Sequence, residues 1–530
     1  MLDILIQNAT VIDGSGKPSY TGSVGVKDGK LVMSHENAPA KTVIDAAGRV
    51  VCPGFIDAHS HGDRIIGSHD NSLFKTAQGI TTELCGNCGT SEAPVDPAKP
   101  AAFRNDRHDW SDMVGWGSFD GFLQSVDKMK LTSNARFYIG HNNLRKIVMG
   151  MENRHATAKE LDAMKGILRE CMESGAAGLS SGLIYAPSSF AAPEELPALV
   201  EVIAPFDGVY STHMRNESTY LIESVAETIE VARRAGVRAD ISHHKTVGKP
   251  NWGKTKTTLE MIRKANEEGI MVTCDQYPYD RNMTILSACI SSKYHAAGMN
   301  LKGKLRDPAF RAMLRKEMED PNSPYDNYYL NSGGWSGVFV ADASDNPEAN
   351  GLFISQYAEK LGKDPFETYF DLLMNNRMTW TVFSTMCEED LCDVIRSPYC
   401  VVGTDGCAYT WAGAGHPRDS SSFPHAICYY VKEKKILTLE QMIHKMTGLP
   451  AQRLNVENKG LLKDGYDADL VIFDYDRLRD LATFTQSHVC PEGIDYVIVN
   501  GEIVYKDMEF TGIYSGKGLR QGGGTVPCGR

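Results

Sequence analysis

Residues 50–61 read VVCPGFIDAHSH, an apolar run that enters a polar turn. His59 and His61 are spaced i, i+2, so on an extended chain both imidazoles lie on one side and can reach one ion. Two histidines at that spacing are equally what a pair of satisfied buried side chains would look like. The remainder of the chain separates the two readings.

Seven further short segments, rich in β-branched and small residues, also finish in polar residues. They are ITTELCGNCG, ARFYIGHNN, AAGLSSGLIY, GVYSTHMRN, RADISHHK, MVTCDQYPY and CVVGTDG. Helical patterns such as AKELDAMKGILRECMESG and SVAETIEVARRAG stand between most of them. Strands buried on both faces and alternating with helices form a parallel sheet, and eight such units predict a closed (β/α)8 barrel of the α/β class. Catalysis in such barrels sits at the C-terminal strand ends, which is where the polar residues fall.

The first fifty residues instead alternate apolar and polar in short runs, and ADLVIFDYD and GIDYVIVNGEIVYKD repeat that pattern near the C-terminus. This predicts a small β-sandwich built from both termini, residues 1–52 with 455–530, flanking a barrel over 53–454. The interval between strands seven and eight is far longer than one crossover helix needs. Its first part, 281–350, is expected to be an insertion that acts as a lid or specificity element.

The chain has 530 residues, 42% hydrophobic and 23% charged, with a net charge of −12 and a pI near 5.7. The acidic balance argues against nucleic acid or an anionic membrane as partner. The N-terminus lacks the basic and apolar regions of a secretory signal, and no stretch is apolar enough to span a membrane. Thirteen scattered cysteines fit reduced thiols, and so a cytoplasmic protein, better than a disulfide framework.

Further possible metal ligands appear one per strand end. His213 closes the fifth segment and His243 the sixth; each alone could be a satisfied buried histidine, but together with His-x-His they favour a metal site. His244, next in sequence, should point the other way. Cys88 in ELCGNCG offers a soft thiolate, while Cys85 lies on the opposite face of an extended strand. Asp405 in VVGTDG ends the eighth strand. A carboxylate there can take a proton from an attacking water and deliver it to a leaving nitrogen; the plainer alternative is an Asp that caps the turn before Gly406.

The chain resembles the amidohydrolase superfamily, and within it the D-aminoacylase (N-acyl-D-amino-acid deacylase) family. The resemblance runs nearly end to end, through PGFIDAHSHGD, GITTELCGNCGTSEAP, GAAGLSSGLIYAP, YSTHMRNE, ISHHK, YPY at 277–279, GTDG, the HPR of AGHPRDSSSFP, LTLEQMIHKMTGLPA, GYDADLVIFD and GIDYVIVNG. It implies that Cys88, His213 and His243 hold a tightly bound zinc ion. His59, His61 and Asp405 then form a weaker neighbouring site, with Asp405 as general base and acid. Many relatives bridge two metals with a carboxylated lysine from strand four. AAGLSSGLIY has no lysine, so the cysteine of strand two fills that role, unlike in the dihydropyrimidinase and dihydroorotase branches.

The resemblance also implies that Lys245, Arg418, Tyr185 and Tyr279 hold the α-carboxylate of a small-molecule N-acyl amino acid. The sequence departs from the family where DSSSFPHA follows HPR in place of the usual Gly-Thr-Phe-Pro-Arg run. In MTILSACISSKYHAAG the sole cation is Lys293, which favours neutral over acidic substrates. The expectation is zinc-dependent hydrolysis of N-acyl-D-amino acids. The alternatives are another N-acyl or cyclic amide substrate, or a catalytically silent barrel, against which the full set of ligands argues.

Overall fold

The computed structural model describes residues 1–33, 38–66, 74–96, 116–407 and 414–522. All eight polar-ended segments form the parallel strands of one barrel. In chain order these are Phe55–Asp57, Ile80–Cys85, Asn134–Phe137 continued by Ile139–Gly140, Gly178–Gly182, Val209–His213, Arg238–Ile241, Val272–Gln276 and Cys400–Val402. Strand one pairs with strand two and strand seven with strand eight. Between strands one and eight, a parallel bridge from Ser60 to Gly406 closes the ring, with Asp405 N donating to His59 O at 2.8 Å.

Capping chemistry sets the crossover helices. Thr157 accepts from the backbone of Glu160 while the Glu160 carboxylate accepts from Thr157 N, which starts the helix Ala158–Glu173. The helix Leu221–Ala235 ends where Gly236 takes a left-handed φ of 66°, a conformation that costs glycine nothing. Beneath the mouth, Lys75 is fully buried and donates to Asp57 Oδ2 (2.6 Å), Thr404 Oγ1 (2.8 Å) and Ser60 Oγ (3.1 Å). This buried ion pair ties strand one to strand eight at the seam that has the fewest ladder bonds.

The small β domain is one hydrogen-bonded sheet of nine strands drawn from both termini, joined where Leu470–Phe473 pairs antiparallel with Val50–Pro53. The sheet folds over, so the two layers of the sandwich are halves of a single sheet. Ile4, Ile6, Val24 and Val26 from one half meet Leu470, Ile472 and Ile498 from the other. Residues on the opposite face of the joining strands, Cys52, Val471 and Phe473, pack against the barrel layer. That explains why Leu470–Phe473 is an unbroken apolar run: it is buried on both faces. Gly518–Leu519 leaves this domain and pairs with Ala135–Arg136 of barrel strand three, so the C-terminal segment is shared between domain and barrel.

The insertion reaches well beyond residue 350. Its three-stranded antiparallel sheet has Thr379–Phe383 at the centre, between Asn282–Ile285 and Val338–Ala343. The helices Ile354–Leu361 and Pro365–Asn375 cover it and share its own core, with Tyr357, Phe366, Tyr369 and Phe370 packed against Val338 and Val340. The expected end at 350 was therefore too early by two helices and one strand, because the central strand of the sheet is the last in sequence. The chain re-enters the barrel through the helix Glu388–Arg396.

Candidate active site

The sequence places His59, His61, Cys88, His213, His243 and Asp405 on five different strand ends, and the fold brings all six to one mouth. Their donor atoms form two groups that share Cys88: His59, His61, Cys88 and Asp405, and Cys88, His213 and His243, with every atom of a group within 4.8 Å of the others. Cys88 Sγ is 3.4 Å from His59 Nε2, 3.4 Å from His243 Nε2 and 3.7 Å from His213 Nδ1. Asp405 Oδ1 is 3.2 Å from His61 Nε2 and 3.6 Å from His59 Nε2. The neighbours turn away, as alternation requires: His244 Nε2 bonds Thr258 Oγ1 at 2.8 Å, and Cys85 joins an apolar cluster with Phe122 and Phe137.

Three of the six lie just past a strand end in left-handed backbone: Cys88 (φ 53°), His243 (φ 37°) and Asp405 (φ 50°). Such a conformation costs a non-glycine residue roughly 1–3 kcal/mol and persists where surrounding structure enforces it. Here it swings each side chain over the barrel axis instead of along its strand.

The electrostatics suit a cation. Burial holds the His213 and His243 imidazoles well below their usual pKa, so both are neutral and able to offer a lone pair. Burial, with Arg64 nearby, pushes His61 down to about 3. Burial also opposes a proton on His59, yet the Asp275 carboxylate and the Cys88 sulfur outweigh it and hold that imidazole well above its usual value. Burial raises the Cys88 thiol pKa, a penalty that a bound cation would remove. For Asp405 burial is overcome chiefly by the Arg418 guanidinium, which keeps the carboxyl well below its ordinary value and ionised. A thiolate set among imidazoles is a donor set that favours zinc over harder ions.

A cavity of about 340 Å³ opens on the cluster. Lys245, Arg418 and Tyr185 line it as expected. Arg418 is buried and donates to Asp405 Oδ2 at 2.7 Å, so it is no surface ion pair. Tyr185 Oη bonds Thr284 Oγ1 at 2.9 Å. Tyr279 does not line the cavity. The backbone turns sharply there, with Tyr279 N bonded to Tyr277 O at 3.0 Å, and the alternation of an extended strand ends at that point. Tyr279 stacks on His425 at 4.4 Å instead, and Tyr277 takes the cavity position, its ring 4.9 Å from the Arg418 guanidinium.

Reading the sequence did not find Asp275, whose Oδ2 sits 2.9 Å from His59 Nδ1 and whose Oδ1 accepts from His243 N at 2.8 Å. The available signal was its register, two residues before the cavity tyrosine on strand seven. Glu217, Arg64 and Lys146, which line the cavity, were missed as well. Glu217 could have been found as an acid four residues after His213, in the loop that follows strand five. The insertion supplies Met283, Ile285, Met378 and Trp380 to the apolar wall.

The amidohydrolase family model matches residues 42–208 and 401–505, a little over half of the chain. The chain belongs to the amidohydrolase family. The D-aminoacylase of Alcaligenes xylosoxydans xylosoxydans is 31% identical over 98% of this amidohydrolase and 97% of its own length. The N-acyl-D-glutamate deacylase of the same organism is 32% identical over 95% and 94%. The crystal structure of N-acyl-D-glutamate deacylase from Bordetella bronchiseptica, complexed with zinc and a phosphonate mimic of the tetrahedral intermediate, superposes with a TM-score of 0.82. It is 30% identical and covers 98% of this chain and 99% of that one. Among the described residues, no helix is long and apolar enough to cross a membrane.

Proposed function

We propose that this amidohydrolase is a zinc-dependent N-acyl-D-amino-acid deacylase, releasing a carboxylate and a free D-amino acid. The observation that carries the proposal is the pair of donor groups meeting on Cys88 at the floor of a cavity lined by Arg418 and Lys245. Cys88, His213 and His243 would hold the tight zinc, and His59, His61 and Asp405 a weaker neighbour. When bound, zinc polarises the acyl carbonyl and acidifies the attacking water.

The chain's own groups do the rest. Asp405 takes the water proton as the C–O bond forms, and returns it to the nitrogen as the C–N bond breaks. Arg418, held 2.7 Å from Asp405, keeps that carboxylate ionised and turned to the reacting atoms. Lys245 and Arg418 receive the substrate α-carboxylate, with Tyr185 and Tyr277 as flanking walls. Tyr185, Lys245, Arg418 and Asp405 are each already held by a hydrogen bond, which favours a single substrate pose.

The wall of Met283, Ile285, Met378 and Trp380 supports neutral D-side chains. A second reading rests on Arg64 and Lys146, which line the same cavity and favour a second carboxylate, as in acyl-D-Asp or acyl-D-Glu. A screen of N-acetyl-D- and L-amino acids, with amine release as readout, tests both. Neutral D-substrates are expected to lead; release from L-substrates alone, or from cyclic amides alone, would sink the proposal. A cytoplasmic setting belongs to the same proposal, supported by the lack of any disulfide among the described cysteines.

A further inference from the structure

Glu217 is completely buried behind the cluster, four residues past His213. His243 turns Nε2 towards Cys88 Sγ at 3.4 Å and Nδ1 towards Glu217 Oε1 at 3.1 Å. His213 repeats the arrangement with its nitrogens exchanged: Nδ1 faces Cys88 Sγ at 3.7 Å and Nε2 faces Glu217 Oε2 at 3.8 Å. Each imidazole thus has one nitrogen on the sulfur and the other on a single carboxylate, one ring to each oxygen. Among the described residues neither His213 Nε2 nor Glu217 Oε2 has a hydrogen-bond partner; the two face each other across 3.8 Å, longer than a hydrogen bond.

The chemistry of a ligating imidazole makes this arrangement meaningful. A neutral ring that gives one nitrogen lone pair to a metal carries its proton on the other nitrogen. In a dry site that N–H needs an acceptor, because a buried donor left without one forfeits its hydration with nothing in return. A single carboxylate with two oxygens serves two such rings. Lys245 Nζ, 2.7 Å from Oε1 and 2.8 Å from His243 O, supplies the opposite charge and lines the substrate cavity as well. Nζ also lies 2.8 Å from His243 Nδ1, so the ammonium and that ring nitrogen share Glu217 Oε1.

The insertion holds this carboxylate's loop in place. Glu217 N donates to Asp326 Oδ2 at 2.8 Å, and Ser218 Oγ donates to Asp326 Oδ1. Asp326 is itself buried and belongs to the insertion, just before the short helix Tyr328–Asn331.

We propose that Glu217 is the positioning residue of the Cys88–His213–His243 group: it accepts the outward N–H of both imidazoles, fixes their tautomers and aims their inner nitrogens at one ion. This rests on the zinc reading above. The test is zinc competition against a chromogenic chelator on the full chain, together with the visible spectrum of the cobalt(II)-loaded protein at saturating metal. Glu217→Gln keeps the shape but presents one acceptor oxygen and one amide donor, so it can serve one ring and opposes the other. Its zinc dissociation constant should rise about 10- to 100-fold, and its cobalt bands should shift even when the site is full.

Asp326→Asn loosens the same loop while leaving the carboxylate in place. It should weaken zinc binding less than Glu217→Gln and leave the cobalt spectrum that of the wild type. A Glu217→Gln protein with wild-type zinc affinity and spectrum overturns the inference alone. So does Asp326→Asn matching Glu217→Gln in both readouts, because loop integrity would then account for the effect. A wild-type protein that takes up no zinc overturns the zinc reading and this inference with it.

Discussion

Asp275 and Asp405 end neighbouring, hydrogen-bonded barrel strands. Both are buried and both approach His59, but from opposite sides of its ring. Asp275 sits 2.9 Å from Nδ1, behind the imidazole, and its second oxygen is taken by His243 N. Asp405 sits on the Nε2 side and in the cavity wall, where its partners are His61 and Arg418. The same residue type lies behind the imidazole in one place and in the cavity wall in the other. What separates the two is the ring nitrogen that each meets and whether an oxygen remains turned to the cavity.

The sharpest way to break that comparison is to neutralise each carboxylate without changing its shape. Asp405→Asn removes the proton acceptor and should lower turnover by about 100-fold or more with zinc still bound. Asp275→Asn should act through the metal instead. Asn has one acceptor oxygen where Asp275 serves two N–H groups, so zinc affinity should fall by about 10- to 100-fold. Turnover at saturating zinc should fall far less than in Asp405→Asn. Steady-state kinetics with a parallel zinc titration separates the two, and identical behaviour of the variants would abolish the distinction.

How far these roles could be read from the sequence depended on local geometry. All eight strands were legible because each is a short apolar run that ends in chemistry-bearing residues, and the six cluster residues were legible because they fall at five of those eight ends. Asp275, near the end of VTCDQ, is marked only by its register two residues before Tyr277; its partner His59 is 216 positions away, a relation that only the closed barrel creates. The end of the insertion was illegible for another reason. ISQYAEKL and PFETYFDLLMN are ordinary amphipathic helices, indistinguishable by period from the crossover helix of a barrel. The central insertion strand follows them, so the sheet cannot be recognised until its last strand pairs with its first.

A smaller effect is expected from Arg418, and the structure changes what it should look like. The guanidinium already holds Asp405, so under the proposed mechanism it has two clients: the Asp405 carboxylate and the carboxylate of the substrate. Arg418→Met should lower kcat/KM for an acyl-D-amino acid by at least about tenfold. If Arg418 binds the substrate, the matching carboxamide loses much less. If Arg418 serves Asp405 alone, acid and amide lose equally, and specificity must be sought in Lys245 and the insertion wall.

The smallest expected effect extends the comparison from two aspartates to two tyrosines. Tyr277 and Tyr279 are separated by one proline, and on an extended strand both rings would face the cavity. The turn at Tyr279 sends them apart. Tyr277 lies under Arg418 with its hydroxyl donating to Met386 Sδ at 3.6 Å. Tyr279 stacks between His425 and the edge of His416, and its buried hydroxyl has no hydrogen-bond partner among the described residues. Removing that hydroxyl deletes no interaction and relieves an unsatisfied polar atom, while the phenyl ring keeps the stack. Tyr279→Phe should therefore hold kcat/KM within about twofold of wild type, under about 0.5 kcal/mol, and leave the melting temperature equal or higher. Tyr277→Leu removes the ring beneath the guanidinium and should cost severalfold in kcat/KM, in keeping with a cation–π contact worth about 0.5–2 kcal/mol. A Tyr279→Phe enzyme that loses tenfold while Tyr277→Leu stays active would reverse the assignment. The hydroxyl would then reach the substrate, and the turn that hides it would have to open during the reaction.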